Sequence, residues 1–252
     1  LMMAGTIEVI GPYDVDTRKV NQLGSGTFGT VFKAVKRETG EYVAAKHLKP
    51  LMDNQIWIYT FEVVAKREVD ILERTRKLPH ANILKILHIE DNREAARFDD
   101  KKVWIMSELC DLGDLNSYFA AFNVKLSHTI DITLQSCRGL LHLHSMTPMV
   151  IHRDIKPSNL LLTSAHGRHV VKLCDLGIAR EIDGQPLTEG GHVGTKTYQA
   201  PELCADSTNY SEKVDVFALG ITLLQMILYH PPTKLENVLD DLVLEHVMQN
   251  EQ

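Results

Sequence analysis

The hydrophobic period of this chain changes once, near Asp114, and that change constrains the fold more than any other feature. Before it, residues 20–23, 31–35 and 42–47 are short β-rich runs, punctuated by glycines and by a turn around Glu38-Thr39-Gly40. A helix over about residues 60–76 interrupts them, with Val64, Glu68 and Leu72 on one face at i, i+4 spacing. Residues 83–89 and 103–106 complete a five-stranded antiparallel sheet, and the charged stretch 90–102 reads as a solvated connection. After Asp114 the helical period takes over. Ile130, Leu134, Cys137 and Leu141 trace an apolar stripe on a helix ending near His144-Ser145. The pattern predicts an α+β chain: a small β-rich lobe with one helix, a connector over 109–115, then a larger helical lobe.

At 252 residues and 44% hydrophobic content the chain can bury one large core or two smaller ones. A net charge of -6 argues against a dedicated nucleic-acid binder, which needs a clustered basic face. The four cysteines, Cys110, Cys137, Cys174 and Cys204, are scattered with no CxxC pair. That spacing argues against a disulfide framework or a zinc site and predicts a reducing cytosolic or nuclear setting. Residues 1–11 lack the basic flank and apolar run of a secretory signal. The longest apolar run, 216–228, is too short for a bilayer, which needs ~20 residues. It reads as a helix buried on all sides, stopped by Pro231-Pro232. No membrane insertion is expected.

The densest chemistry lies in His152-Arg153-Asp154-Ile155-Lys156-Pro157-Ser158-Asn159. An aspartate there can accept the proton of an attacking hydroxyl, and an asparagine five positions on can hold magnesium. The lysine between them can neutralise charge on a transferred phosphate. Gly24-Ser25-Gly26-Thr27-Phe28-Gly29 lies between two strands, where glycines let backbone amides approach a triphosphate. Alone, that glycine pattern fits a Rossmann turn or a plain hairpin equally well. A Rossmann turn leads into a helix, however, whereas here residues 31–35 continue as a strand. Lys46 follows the apolar run Val43-Ala44-Ala45 and can reach α- and β-phosphates if a carboxylate holds it. Glu68 is the first candidate for that partner and Glu62 the second.

Asp175-Leu176-Gly177 follows an apolar strand and offers a second metal ligand. Further on stand Gly194-Thr195-Lys196-Thr197-Tyr198-Gln199-Ala200-Pro201-Glu202 and Asp215-Val216-Phe217-Ala218-Leu219-Gly220. An aspartate opening a buried helix is costly unless hydrogen-bonded, so Asp215 is expected to accept backbone amides of the 152–159 loop. His144 and His152 read as packing and hydrogen-bonding residues rather than metal ligands.

These six motifs, in this order, resemble the eukaryotic protein kinase family from about residue 13 to about 232. Lys156 followed by Pro157 resembles its serine/threonine branch. The resemblance implies a bilobal domain over 13–252, with an N-lobe of 13–108, a hinge of 109–115, a C-lobe of 116–252 and an N-terminal extension of 1–12. It also implies ATP and Mg2+, transfer of the γ-phosphate to Ser or Thr of protein substrates, and the following roles. Gly24, Gly26 and Gly29 cover the phosphates, and Lys46 orients them with Glu68. Asp154 is the base and Lys156 steadies the γ-phosphate, while Asn159 and Asp175 hold the metal. Leu23, Val31, Ala44 and Leu161 sandwich the adenine. Glu108 and Cys110 meet its edge, and Asp114 lies near the ribose. Thr195 contacts Asp154 and Lys156.

Three departures stand out. Leu176 replaces the commoner phenylalanine after the metal-binding aspartate. Ser107 falls at the gatekeeper position, where so small a residue leaves room for bulky adenine analogues. The stretch after Asp215 is shorter than the family devotes to its last helices, and no arginine stands where one normally pairs with Glu202. Arg153 before the catalytic aspartate implies control by phosphorylation of the activation segment, with Thr188 or Thr197 as acceptor and Arg153 and Arg180 as receivers. Two other readings compete: a pseudokinase acting as a nucleotide-binding scaffold, and a small-molecule phosphotransferase.

Overall fold

Alternating apolar residues, broken by glycine turns, assemble the first part of the chain as strands. The computed structural model describes residues 6–26, 29–50, 55–122, 124–165, 167–182, 194–204 and 210–228. They fall into two compact units, one of residues 1–79 with 84–109, the other of 80–83 with 110–252.

The first unit holds strands β1 (Ile7–Ile10), β2 (Tyr13–Asp16), β3 (Gln22–Ser25), β4 (Gly29–Lys36) and β5 (Tyr42–Leu48), then helix α1 (Gln55–Lys77), β6 (Ile86–Asp91) and β7 (Val103–Glu108). They form one seven-stranded sheet in the order β1-β2-β4-β5-β7-β6, with β3 also on β4. All pairings are antiparallel. The long strand β4 serves two partners along one edge: β3 near Val31 and β2 near Ala34.

Five strands were expected in this sheet and seven are present among the described residues. The additional pair, β1 and β2, includes residues 7–10, ahead of the boundary drawn at 13. Ile10, Tyr13 and Val15 are buried against Phe32, Ala34, Val43, Ala45, Trp104 and Met106. Two four-residue strands carry too few alternations to stand out in a sequence, but their burial here makes them part of the core. The alternation leaves Val31, Ala44, Lys46 and Ser107 on the opposite face.

His47 stacks on Trp104 at 4.1 Å, and His47 Nε2 and Trp104 Nε1 are buried with no hydrogen-bond partner among the described residues. Burial, aided by Lys49 and Lys102 and opposed by Glu8, holds the imidazole well below its usual 6.5, at about 4. The folded state therefore keeps His47 neutral while the unfolded chain protonates it below 6.5. Its contribution to stability is present above pH 6.5 and lost as pH falls towards 4, by about 3 kcal/mol in all. Urea midpoints measured from pH 7 to 4 should drop less steeply for His47→Phe, which keeps the stack without the titratable ring. An unchanged slope would assign the acid lability elsewhere.

The second unit contains α2 (Leu115–Ala121), α3 (Leu126–His144), β8 (Met149–Ile151), β9 (Leu160–Ala165), β10 (Arg168–Leu173), β11 (Arg180–Ile182), α4 (Pro201–Cys204) and α5 (Lys213–Leu228). β9 and β10 form a hairpin, and β8 pairs with β11. Asp114 caps α2 by accepting from Ser117 N at 3.0 Å.

On α3 the structure reverses the expected orientation. Ile130, Leu134, Cys137 and Leu141 lie on the exposed side, Leu141 at 67%. The buried face instead carries Thr129, Ile132, Gln135, Ser136, Gly139, Leu140 and Leu143. Polar residues can occupy it because their hydrogen bonds are made. Gln135 donates to His169 O and accepts from Val171 N, both at 3.0 Å, while Asn82 donates to Val171 O at 3.0 Å. Two side chains thus satisfy the outer edge of β10 where another strand would. Gly139 permits the approach, since a Cβ there would lie 2.8 Å from Asn82 O. Helix α5 differs from expectation in the same way. It buries Asp215, Thr222 and Gln225, whereas Val216 and Ile227 are exposed among the described residues. Pro231 and Pro232 lie outside those residues. No described helix is long and apolar enough to cross a membrane.

Candidate active site

In the first unit the register of β4, β5 and β7 brings the expected nucleotide residues onto neighbouring strands. Val31 opposes both Gly24 and Lys46, and Ala44 opposes the buried Ser107. Lys46 Nζ lies 2.7 Å from Glu68 Oε1, whose side chain is only 4% exposed. α1 runs five residues further towards its start than the pattern suggested and presents Glu68 with Phe61, Ala65 and Leu72 on its buried face. The runner-up, Glu62, pairs with Lys101 at 2.7 Å.

The glycines differ in what they require. A Cβ at Gly29 would sit 2.8 Å from His47 O, so packing alone demands glycine there. Gly24 and Gly26 meet nothing within 4 Å. Open backbone of this kind suits the close approach of a ligand. Leu23 is half exposed on β3, and the Glu108 carboxylate accepts from Lys85 N at 2.8 Å.

In the second unit the 152–159 loop folds back on itself. Asp154 Oδ1 accepts from Thr195 N at 3.0 Å and Thr195 Oγ1 at 2.8 Å. Asp154 Oδ2 pairs with Lys156 Nζ at 2.7 Å and accepts from Asn159 Nδ2 at 2.9 Å. Lys156 Nζ also donates to Thr195 Oγ1 at 2.7 Å, closing the expected triangle with Asp154. Asn159 Nδ2 further donates to Asp154 O, which turns its carboxamide oxygen away from that carboxylate. Asn159 O accepts from Cys174 N at 3.0 Å, so Asn159 and the neighbouring Asp175 are tied through one hydrogen bond. Asp175 is exposed and left-handed, at φ 62°. Leu176 is buried beside it. An amide oxygen and a carboxylate form a hard oxygen donor set, which fits Mg2+.

The fully buried Asp215 does what was expected and more. It accepts from His152 N, Arg153 N and His144 Nε2, each at 2.8 Å. His152 Nε2 bonds Cys174 O at 2.9 Å, which fits the packing role read for both histidines. Arg153, itself left-handed at φ 66°, donates to Ile178 O and to Tyr210 Oη at 2.8 Å. Tyr210 was not foreseen, because nothing local marks a tyrosine between two helices as an arginine's partner. Asn82 and Gln135 were missed for the same reason.

Of the remaining expected residues, Asp114 bridges Leu161 across an isolated pairing, and Cys110 O accepts from Gly113 N at 3.3 Å. Thr197 lies half-buried on a short turn at Lys196–Tyr198, whereas Thr188 falls outside the described residues.

Comparison with known proteins agrees with this geometry. The protein kinase domain family matches residues 17–251. Mitogen-activated protein kinase 1 of Oryza sativa subsp. japonica is 36% identical over 208 residues, covering 81% of this chain and 48% of that protein. Mitogen-activated protein kinase 13 of Arabidopsis thaliana is 33% identical over 210 residues, 82% of this chain and 53% of that protein. A probable serine/threonine-protein kinase of Dictyostelium discoideum is 34% identical over 228 residues, 90% of this chain and 41% of that protein. The chain spans about half the length of these curated relatives. With the motifs in order and residues 17–251 of its 252 matched, this chain belongs to the protein kinase family, in its serine/threonine branch.

Proposed function

We propose that the chain transfers the γ-phosphate of ATP to serine or threonine hydroxyls of protein substrates. The observation that carries this reading is the cluster in which Asp154, Lys156, Asn159 and Thr195 hold one another within 3.0 Å. Phosphoryl transfer asks little covalent chemistry of a protein and much positioning, and a cross-braced carboxylate suits that task. Asp154 accepts the hydroxyl proton, and its position is maintained by the neighbours that donate to it. Lys156 supplies positive charge beside the reacting oxygen, and Thr195 tethers the 194–204 segment to the base. Lys46, oriented by Glu68, is assigned to the α- and β-phosphates. The open backbone at Gly24 and Gly26 favours placing the phosphates beneath them. Leu23, Val31, Ala44 and Leu161 are assigned to the adenine faces, Glu108 and Cys110 to its edge, and Asp114 to the ribose. Asn159 and Asp175 would hold Mg2+, which when bound neutralises phosphate charge.

The small Ser107 leaves the site open to bulkier purines. Phosphorylation at Thr188 or Thr197 regulates the enzyme, and the reducing setting is cytosolic or nuclear, in keeping with the scattered spacing of Cys110, Cys137, Cys174 and Cys204. Radiolabelled ATP with a degenerate Ser/Thr peptide library, with and without Mg2+, tests the reading. Label on peptide that requires Mg2+ supports it. Nucleotide binding without transfer would leave a scaffold instead.

A further inference from the structure

Residues 80–83 belong to the second unit and form a turn closed by Ile83 N donating to His80 O at 3.1 Å. Inside it, Asn82 N donates to His80 Nδ1 at 3.1 Å. A backbone N–H can only donate, so this ring nitrogen carries no proton and the neutral imidazole bears its hydrogen on Nε2. The turn also grips the end of β10. Asn82 O accepts from Leu173 N at 2.9 Å, and Asn82 Nδ2 donates to Val171 O at 3.0 Å. Ile83 pairs with Leu173 across an isolated parallel bridge. Leu173 is buried, and β10 ends there, two residues short of Asp175.

A second imidazole covers the ring. His142, from α3, stacks on His80 with centroids 4.8 Å apart and planes 16° from parallel. Burial first, then His142 and then Lys172 of β10, hold the pKa of His80 below its usual 6.5. Arg138, one turn before His142 on α3, lines a neighbouring cavity together with Ala81 and Asn82. Asp131 lines that cavity too and accepts from Gln135 Nε2 at 2.8 Å. These surroundings favour the neutral ring, and the turn depends on it. A proton at Nδ1 sets N–H against N–H and breaks the bond to Asn82, beside further positive groups.

We infer that His80, stacked on His142, is an acid-sensitive latch: the neutral ring holds the turn on β10, and a proton taken up at Nδ1 releases it. Because the folded state resists that proton, the latch is complete above pH 6.5 and opens as the pH falls below it. Opening frees the contact of Asn82 with Leu173, and with it the placement of the chain that continues to Asp175. The latch is a property of the fold and stands whether or not the Asp154 site transfers phosphate.

Amide hydrogen exchange of the full chain, followed residue by residue between pH 7.5 and 5 and corrected for the intrinsic effect of pH, tests it. Protection of the Leu173 amide should fall about tenfold, the scale of one lost hydrogen bond, while the interior of α5 keeps its own. His80→Asn offers Asn82 N a side-chain oxygen that does not titrate, so its Leu173 amide should stay protected throughout. His142→Phe keeps a stacked ring without the charge, so the midpoint of opening should move to higher pH. Four results would overturn the inference. These are constant protection of Leu173 in the wild type, an equal loss in His80→Asn, an equal loss along α5, or a midpoint that does not rise in His142→Phe.

Discussion

Asp154→Asn should lower phosphoryl transfer by about 10²–10⁴-fold, the range a positioned general base contributes, while nucleotide affinity holds. The reason lies in the partners of the carboxylate. Oδ2 faces Lys156 Nζ and Asn159 Nδ2, and Oδ1 faces the Thr195 amide and hydroxyl. Three of these four can only donate. An amide NH2 at position 154 meets an N–H on either side, whichever way it turns. The variant thus loses both the proton acceptor and the brace on Asn159 and Thr195. Single-turnover kinetics beside ATP calorimetry separate the two effects. Turnover within tenfold of wild type, with nucleotide bound, would remove Asp154 from its assigned role.

The largest effect on stability should come from Asp215→Ala, at about 3–5 kcal/mol, as for a buried charge network that loses one member. Two backbone amides, of His152 and Arg153, would be buried without an acceptor, each costing about 1–3 kcal/mol, and His144 would lose its partner. Arg153 is also held at φ 66°, a conformation that costs a non-glycine residue roughly 1–2 kcal/mol and persists only while its surroundings enforce it. Without Asp215 the loop can relax, so activity should fall even in protein that remains folded. Asp215→Asn keeps one acceptor and should lose about half as much. Urea denaturation of both variants measures this. A loss under about 1 kcal/mol for the alanine would mean the loop is held from elsewhere.

Much of the site was legible because its chemistry is written in short segments. Asp154, Lys156 and Asn159 lie within six residues, and their mutual contacts follow from the loop that joins them. The pairing of Lys46 with Glu68 was also readable, since helical spacing put Glu68 on the apolar face of α1. The part played by Asp215 followed from the cost of a charge in an apolar helix. Its third partner, His144, did not, because it comes from another helix at a separation no local rule spans.

By itself, then, the sequence determined where the first run of strands gives way to helices, that Asp154, Lys156 and Asn159 come together in one loop, and that Lys46 pairs with Glu68. Only the tertiary structure decided that residues 7–16 complete the sheet, that α3 turns Gln135 inward and Leu141 outward, and that Arg153 rests on Tyr210. The physical reason is common to all three. Local periodicity records which positions are apolar, but whether a polar group can be buried depends on partners elsewhere in the chain that satisfy its hydrogen bonds.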